Sequence, residues 1–290
     1  MRKIKLTITL AMILGAIGLL SGGAHSARAD GGQRYLFKEN LHVGQAIPGI
    51  VVNTVTITYA DSNEVAELKN FCKLVFTVTE VKNGQARAGT VFVDPQSYVQ
   101  QKMPGDVVTA KTPSAYAGVT VKLRFSGNDT VISDFKGNAD ATDTEMVNSS
   151  LYPDGDYFPD EPVAVGSTWD ATAKVRRHAE LLPGDQFTAQ VRLDSVKTID
   201  GKLYASMTCA LAAIRHNADK SEYDQTMTST FLVDMTAQQI VRGTTNGKET
   251  FYAAGASSNV IARDVFQWNS WIPGLAPSTQ PSGKTSENSQ

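Results

Sequence analysis

The sequence predicts an all-β protein made of antiparallel sheets with long hairpins and few short helices. Stretches rich in Val, Thr, Ile, Phe and Tyr recur along the chain and alternate between apolar and polar residues, as half-buried strands do. Asn83-Gly84 and Asp200-Gly201 separate such stretches, and these dipeptides favour the positive φ angles of tight hairpin turns. Because helical periodicity is scarce, strand pairing is expected to organise the fold.

The first element, residues 1–29, is a predicted secretory signal peptide. A basic start is followed by an apolar stretch from Leu6 to Leu20, which is shorter than the about 20 apolar residues of a membrane-spanning helix. Ala27-Arg28-Ala29 then has the A-x-A pattern of a signal-peptidase site, so we expect cleavage near Ala29. The expected product is periplasmic or extracellular, with no transmembrane anchor in the mature chain.

Residues 30–148 are predicted to form a first β unit. Its strands are expected where apolar and polar residues alternate: Val51–Tyr59, Lys73–Val81 and Val119–Phe125. Two short helices are expected as well, because their Thr, Asp and Glu content suits capped or exposed turns: Asn63–Asn70 and Asp140–Ser149.

Residues 149–271 are predicted to form a second β unit with longer strands. The strand candidates are Thr168–Arg177, Gln186–Ile199, Lys202–Ile214, Gln225–Val233 and Gln239–Thr245. The last segment, residues 272–290, is rich in Pro, Gly, Ser, Thr and Gln. Such a composition buries too little apolar surface to order itself, so a disordered tail is expected.

The two units share a weak internal repeat. Leu41–Gln45 (LHVGQ) stands before the first strands as Val163–Ser167 (VAVGS) stands before the later ones. Phe76–Gly84 is echoed by Val191–Gly201, and in both segments a strand leads through a Val-Lys step to a hairpin glycine. A duplication and a chance similarity of short β patterns both explain the match, and both stay open.

One short element resembles a known group of proteins. Pro162 to Trp169 reads P-V-x-V-G-x-x-W, and this pattern resembles an element of exported bacterial β-rich proteins of unknown function. There a turn glycine precedes a strand opened by tryptophan. The resemblance implies export and a β fold, and no catalytic residue comes with it.

Charge and motifs exclude several function classes. The chain has 27 Lys and Arg residues against 29 Asp and Glu residues, with no basic run. It therefore lacks the electrostatic footprint of a nucleic-acid binder and the polybasic run that attracts anionic lipid. No H-E-x-x-H, C-x-x-C or G-x-S-x-G motif occurs, so no cofactor and no catalytic residue is predicted.

Cys72 and Cys209 are the only cysteines. An oxidising compartment would permit them to form a disulfide, which would stabilise the fold by about 4–5 kcal/mol because it closes a long loop. Within apolar strands they would equally serve as small buried hydrophobic residues. The sequence leaves both interpretations open.

Two features are candidate sites. The proline-rich segment between the units offers oxygen ligands that suit calcium, with a solvated linker as the alternative: Asp154, Asp156, Asp160 and Glu161. Trp169, Trp268 and Trp271 are candidate ligand-binding aromatic residues. The last two lie close to the predicted tail, where they are expected to form a flap that closes over the core or a docking surface for a partner or lipid.

These features predict a soluble, non-enzymatic, exported binding or envelope-associated protein. Its partner would be a lipid, a glycan or an envelope protein. One alternative is a periplasmic carrier or chaperone that holds lipid or other apolar cargo in a sheet-lined cavity. A second is an envelope hydrolase that acts on glycans, which needs two carboxylates about 5–10 Å apart.

Overall fold

The computed structural model describes residues 32–106, 111–114, 116–126, 129–135, 154–176, 183–216, 221–254 and 260–271, with only the backbone at 126, 129–135, 154 and 260–271. The prediction of an all-β fold with antiparallel sheets is confirmed. The predicted signal peptide, the helix at Asp140–Ser149 and the tail lie outside the described residues.

The described residues form fifteen strands and two very short helices. The strands are β1 (Arg34–Tyr35), β2 (Ala46–Tyr59), β3 (Val65–Lys82), β4 (Gln85–Val93), β5 (Tyr98–Lys102), β6 (Thr112–Pro113), β7 (Thr120–Ser126), β8 (Asp129–Phe135), β9 (Val163–Ala164), β10 (Thr168–Asp170), β11 (Gln186–Ile199), β12 (Lys202–His216), β13 (Glu222–Asp234), β14 (Gln239–Tyr252) and β15 (Val260–Trp271). A 3₁₀ helix spans Asp154–Tyr157, and helix α1 spans Thr172–Val175.

Eleven strands follow one another in a single sheet, in the order β10-β11-β12-β13-β14-β15-β2-β3-β4-β7-β8. Strand β5 pairs with β3 and β6, and β1 pairs with β9 in a separate two-stranded sheet. The two sequence halves meet at the antiparallel pair of β15 and β2, from Trp271 opposite Ile50 to Ala262 opposite Tyr59. The halves therefore share one continuous sheet.

Two local predictions are wrong. The segment Asn63–Asn70 is not a helix: Asn63 has a φ of +54° in the turn after β2, and β3 starts at Val65. Pairing with β2 satisfies its backbone and buries Ala66, which outweighs its weak local preference for a helix. The segment Thr168–Arg177 is not one strand either. Strand β10 ends at Asp170, whose carboxylate accepts a hydrogen bond from the backbone N–H of Thr172 (2.8 Å) and so starts α1.

Alternate residues of the central strands point to one buried side, which we call the inner face. It comprises the odd-numbered residues 187–193 of β11, 205–215 of β12, 223–233 of β13, 243–251 of β14 and 51–59 of β2, and the even-numbered residues 66–78 of β3. The residues between them form the outer face, where Gln190, Thr228 and Thr230 are exposed. The sheet thus has one apolar and one polar side.

Candidate functional site

The sheet curls around its inner face. In strand β10, Trp169 donates a hydrogen bond from Nε1 to the carbonyl oxygen of Tyr157 in the 3₁₀ helix (3.0 Å). At the other end of the same helix, a β-carbon on Gly155 would lie 3.2 Å from Nε2 of Gln85, the first residue of β4. Strands β10 and β4 are eight places apart in the sheet order, so in a flat sheet they would be about 38 Å apart. The 3₁₀ helix and the side chains of Trp169 and Gln85 that reach it span only on the order of 20–25 Å. The sheet must therefore bend through roughly half a turn.

The concave side of β11, β12 and β13 is filled by a group of segments that we call the plug: residues 35–41, the 3₁₀ helix with Phe158, and α1. The ring centroids of Phe37 and Phe158 are 5.7 Å apart, and those of Tyr157 and Phe231 are 4.7 Å apart. These aromatic residues join the inner face of β11, β12 and β13 in one buried cluster. Burial of this apolar area is the main force that holds the plug against the sheet.

Polar contacts fix the plug in place. Lys174 of α1 donates hydrogen bonds from Nζ to the carbonyl oxygen of Phe158 (2.8 Å) and to the carboxylate of Asp160 (2.6 Å). Trp169 binds the same segment through its indole N–H and packs against the cluster. The predicted ligand-binding residue Trp169 is thus placed where it anchors the plug to the edge strand.

A second, smaller apolar cluster lies on the concave side away from the plug. On β2 and β3, Val55, Ile57 and Ala66 are buried together, and Tyr59, Leu68, Met103 and Phe251 pack around them. The neighbouring strand β14 contributes Gly243 and Gly247 to the same face. Glycine within a strand often marks a place where a ligand or another backbone approaches closely.

Polar side chains lie among these apolar residues. Gln225 donates a hydrogen bond from Nε2 to the carboxylate of Glu249 (3.3 Å), and both side chains are buried. The other amide atom, Oε1 of Gln225, is buried and accepts no hydrogen bond from any residue that the structure describes. Arg215 lies with its guanidinium carbon 5.2 Å from the ring centroid of Tyr223. An interior polar patch of this kind has hydrogen-bonding capacity to offer a ligand.

Three of the four candidate calcium ligands have described side chains, and these three are not grouped with a further ligand as a metal site requires. Asp154 and Asp156 belong to the 3₁₀ helix, Asp156 is buried, and Asp160 pairs with Lys174, while Glu161 is exposed. Across the part of the chain that the structure describes, no three His, Cys, Asp or Glu residues are placed to hold a metal ion. The segment is not a solvated linker either, because Tyr157 and Phe158 draw it into the core.

Trp268 and Trp271 lie on a central strand, so the interpretation as a flap is wrong. In backbone register, Trp268 stands between Thr245 of β14 and Asn53 of β2. Trp271 is the last residue of β15 and is also paired on both sides. The nearby Pro and Gly misled the sequence interpretation, because they follow the strand instead of interrupting it.

Both cysteines are free thiols in the structure. Cys72 lies half-buried on β3 and Cys209 buried on β12, and four strands stand between β3 and β12 in the sheet order. Burial raises the pKa of Cys72 to about 11 and that of Cys209 to about 12, so each thiol is protonated near neutral pH. The disulfide that the sequence left open is not formed here.

The acids beside Trp169 have structural partners. Hydrogen bonds from Thr172 hold the pKa of Asp170 below its ordinary value, so this carboxylate is ionised and bound to the first residue of α1. The carboxylate of Asp160 pairs with Lys174. A general acid requires a raised pKa, and Asp170 has the opposite shift.

Comparisons with known proteins show no family for this chain. No protein-family model matches it, and no curated protein matches it. Among solved structures, the chain is similar to one titled "lipid-protein interactions in lipovitellin", with a TM-score of 0.46 and 8% identity. That match covers 82% of this chain and 26% of the other, so the chain spans about a quarter of that protein's length.

Two further structures are similar at lower scores. One is DynF from the dynemicin biosynthesis pathway of Micromonospora chersina, with a TM-score of 0.23, 7% identity, and coverage of 90% of this chain and 93% of that one. The other is a DUF1329 family protein from Desulfovibrio piger, with a TM-score of 0.18, 8% identity, and coverage of 81% and 88%. Within the described ranges, no helix is long and apolar enough to cross a membrane.

Proposed function

We propose that the protein is a non-enzymatic carrier that holds an apolar chain, such as the acyl chain of a lipid, against the inner face of its curled sheet. The observation that carries this proposal is the bend of one continuous sheet around an apolar face. A curved antiparallel sheet with an apolar concave side is a common way to enclose an apolar ligand.

The distribution of packing supports this location. The plug packs on the inner face of β11, β12 and β13. On β2 and β3, the cluster of Val55, Ile57 and Ala66 is packed mainly by hydrophobic residues of β2, β3 and β14 themselves. Met103 is the described hydrophobic residue from another part of the chain that packs on it. An acyl chain on this second region would extend the same apolar core that the plug begins.

The polar patch supports an amphiphilic cargo. Gln225 and Glu249 lie on the inner face two positions along their strands from Met227 and Gly247. A cargo whose polar end can donate, as a hydroxyl group, an amino group or a fatty acid's protonated carboxyl group does, would donate to Oε1 of Gln225 and so remove a buried unsatisfied acceptor. Its apolar part would then lie along the glycine positions of β14.

Binding of a fluorescent fatty acid tests the proposal. Protein isolated from the producing cells is extracted with solvent and the extract analysed for lipid by mass spectrometry; the stripped protein is then titrated with cis-parinaric acid. We expect saturable binding and lipid in the extract. An absence of saturable binding by stripped, folded protein would reject the carrier.

A matched pair of variants on β3 locates the binding face. Ala66 is buried on the inner face beside Val55 and Ile57, and Glu67 is exposed on the outer face of the same strand. Ala66→Leu adds bulk to the proposed cargo region and is expected to weaken binding about tenfold, equivalent to ~1.4 kcal/mol. Glu67→Leu is expected to leave binding unchanged. Equal effects of the two variants on a folded protein would argue against an inner-face site.

We also propose that this carrier is exported. The support is the basic start, the apolar stretch and the A-x-A pattern that ends at Ala29. N-terminal sequencing of the protein from the culture medium or the periplasm is expected to begin near Asp30. A chain that still begins at Met1 would show that the signal is not cleaved.

A further inference from the structure

One end of the curled sheet forms a continuous edge that we call the rim. It consists of the turn after β3 at Asn83-Gly84, the turn after β11 at Asp200-Gly201, the turn between β13 and β14, and the segment 34–45. This segment joins the turns, because the backbone N–H of Lys38 donates to Oε1 of Gln238 (2.8 Å) and that of Leu41 donates to the carbonyl oxygen of Gly84 (2.8 Å).

Large aliphatic side chains are exposed along this rim. Leu36 is 52% exposed, Val43 is 65% exposed, and Ile199 is 46% exposed. Single exposed aliphatic residues are ordinary on a protein surface, whereas several on one edge indicate an interaction site. Leu36 and Val43 belong to segment 34–45, which is hydrogen-bonded to the turns at Gly84 and Gln238. Ile199 comes from a distant part of the sequence and precedes the turn at Asp200-Gly201.

Basic residues surround these aliphatic side chains. Five exposed cations belong to the rim: Arg34, Lys38, Lys82, Lys197 and Lys202. None of the five forms an ion pair with another described residue. Counted over the same positions, the acids are Glu80 and Asp200, which are exposed, and Glu39 and Asp234, which are buried. The chain as a whole has a net charge of −2, whereas the exposed cations at this edge outnumber the exposed acids by five to two.

Exposed and buried side chains alternate along residues 34–38 of the rim. Arg34, Leu36 and Lys38 are exposed, while Tyr35 is half-buried and Phe37 is buried in the plug. Residues 34–38 thus present a basic, an aliphatic and a second basic side chain to solvent. At a bilayer surface, basic side chains bind anionic headgroups while neighbouring aliphatic side chains enter the interface.

We infer that the rim docks the protein on the surface of an anionic lipid bilayer. Charge complementarity favours an anionic partner, and the aliphatic side chains between the cations favour a partner with an apolar layer beneath its charges. Residues 35–41 belong to both the rim and the plug, because Phe37 is buried against the inner face while Leu36 and Lys38 are exposed. Docking would therefore bring this part of the plug next to the membrane.

Sedimentation with vesicles tests the rim. The full chain, in the form that the producing cell yields, is mixed with vesicles of phosphatidylcholine alone or of phosphatidylcholine with about a third phosphatidylglycerol. We expect sedimentation with the anionic vesicles that decreases as salt is raised from roughly 50 to 500 mM, because salt screens these charges. Equal sedimentation with neutral vesicles, or none with either, would overturn the inference; the latter is expected if an acidic protein is the true partner.

Paired variants show which residues carry the docking. Lys38→Glu with Lys202→Glu is expected to abolish sedimentation, and Leu36→Ser with Ile199→Ser to reduce it at least about fivefold, because the aliphatic side chains supply the interfacial contact. The control combines Lys69→Glu with Phe92→Ser, which lie exposed away from the rim, and is expected to bind as the natural protein does. Loss of binding in the control to the same extent would overturn the inference.

Binding of cis-parinaric acid keeps this test separate from the proposed carrier function. Rim variants that lose vesicle binding are expected to keep fatty-acid binding and the thermal transition of the natural protein. The rim inference fails if folded rim variants still sediment normally, whatever the fatty-acid result. The carrier proposal fails if the natural protein binds no fatty acid, whatever the vesicle result.

Discussion

Val78 and Leu193 occupy the same structural position in the two halves of the chain. The carbonyl oxygen of Val78 accepts a hydrogen bond from the N–H of Gly44 (2.8 Å), and that of Leu193 accepts one from Gly166 (2.7 Å). Both residues are almost fully buried, and each is followed by a register shift in its hairpin. Such bulges increase the local twist of a strand, so each half bends a hairpin at the corresponding point.

Truncation of this paired position is expected to destabilise the fold. Leu193→Ala should lower the free energy of unfolding by about 2–5 kcal/mol, because it opens a cavity in the core, and Val78→Ala should lower it less since fewer atoms are removed. Chemical denaturation measures both changes. Val165→Ala, at an exposed site, serves as the control and should stay within about 0.5 kcal/mol. A Leu193→Ala protein as stable as that control would contradict the structure.

Even the small substitution of Gly89 by alanine is expected to destabilise the fold. It faces Val78 and Leu123 in neighbouring strands, and the ring of Phe76 lies across the space that a β-carbon would occupy. Phe76 is itself held edge-to-face against Phe125. Gly89→Ala should therefore destabilise by about 1–3 kcal/mol through overpacking.

Two variants check this explanation for Gly89. Gly49→Ala would meet only the flexible end of Leu74, at 3.3 Å, and should change the melting temperature little. Adding Phe76→Leu to Gly89→Ala should recover part of the lost stability, because the ring no longer occupies the space. If the double variant loses as much stability as the sum of the losses of Gly89→Ala and Phe76→Leu measured singly, overlap with the ring is not the cause.

The strands were predictable from the sequence because their signal is local. Alternation along Gln186–Ile199 and the turn at Asp200-Gly201 specify a hairpin without reference to the rest of the chain, and the structure has that strand with the same bounds. The β3 strand was only half predicted. Its first half carries Glu67, Lys69 and Asn70, and only pairing with β2 shows that alternate residues there are buried.

The plug and the rim were beyond sequence analysis because they depend on the curl of the sheet. Asp154–Tyr157 has the composition of a linker, and its burial requires the concave face of strands that come later in the chain. The rim cations come from three distant parts of the sequence, residues 34–38, 82 and 197–202, so no basic run signals them. Sheet order and curvature are long-range properties that local alternation does not encode.

The thiols are expected to react slowly in the folded protein. Burial raises the pKa of both cysteines, to about 11 for Cys72 and about 12 for Cys209, and the thiolate is the reactive form. With a thiol reagent at pH 8, we expect slow modification of Cys72, slower modification of Cys209, and rapid reaction of two thiols per chain after unfolding in denaturant. Fewer than two reactive thiols in the unfolded, unreduced protein would show that the disulfide forms after all.

Peptide mapping assigns the order of reaction. Cys72 is half-buried and Cys209 is buried, so the Cys72 peptide should be labelled first. Cys72→Ser and Cys209→Ser provide the matched single-thiol proteins. Faster labelling of the Cys209 peptide would be inconsistent with its place on the inner face of β12.

His216 links three strand ends through two carboxylates. Its Nδ1 lies 2.7 Å from the carboxylate of Asp185, which is buried, and its Nε2 lies 3.1 Å from the carboxylate of Glu222. Asp185 also accepts a hydrogen bond from the backbone N–H of His216 (3.0 Å). A neutral imidazole donates from one nitrogen only, whereas the protonated ring donates from both. The hydrogen bond to Asp185, followed by the charges of Asp185 and Glu222, therefore raises the pKa of His216 above its ordinary value.

The raised pKa predicts a stability that falls as pH rises. The protonated ring contributes fully below the unfolded pKa of about 6.5, and this contribution is lost as pH rises through the higher folded pKa. His216→Gln should therefore lower the melting temperature near pH 6, and the gap to the natural protein should shrink towards pH 8. The side chain is 38% exposed, so the gap corresponds to at most about 1 kcal/mol. A gap for His216→Gln that widens with pH would mean that the ring is neutral in the folded protein.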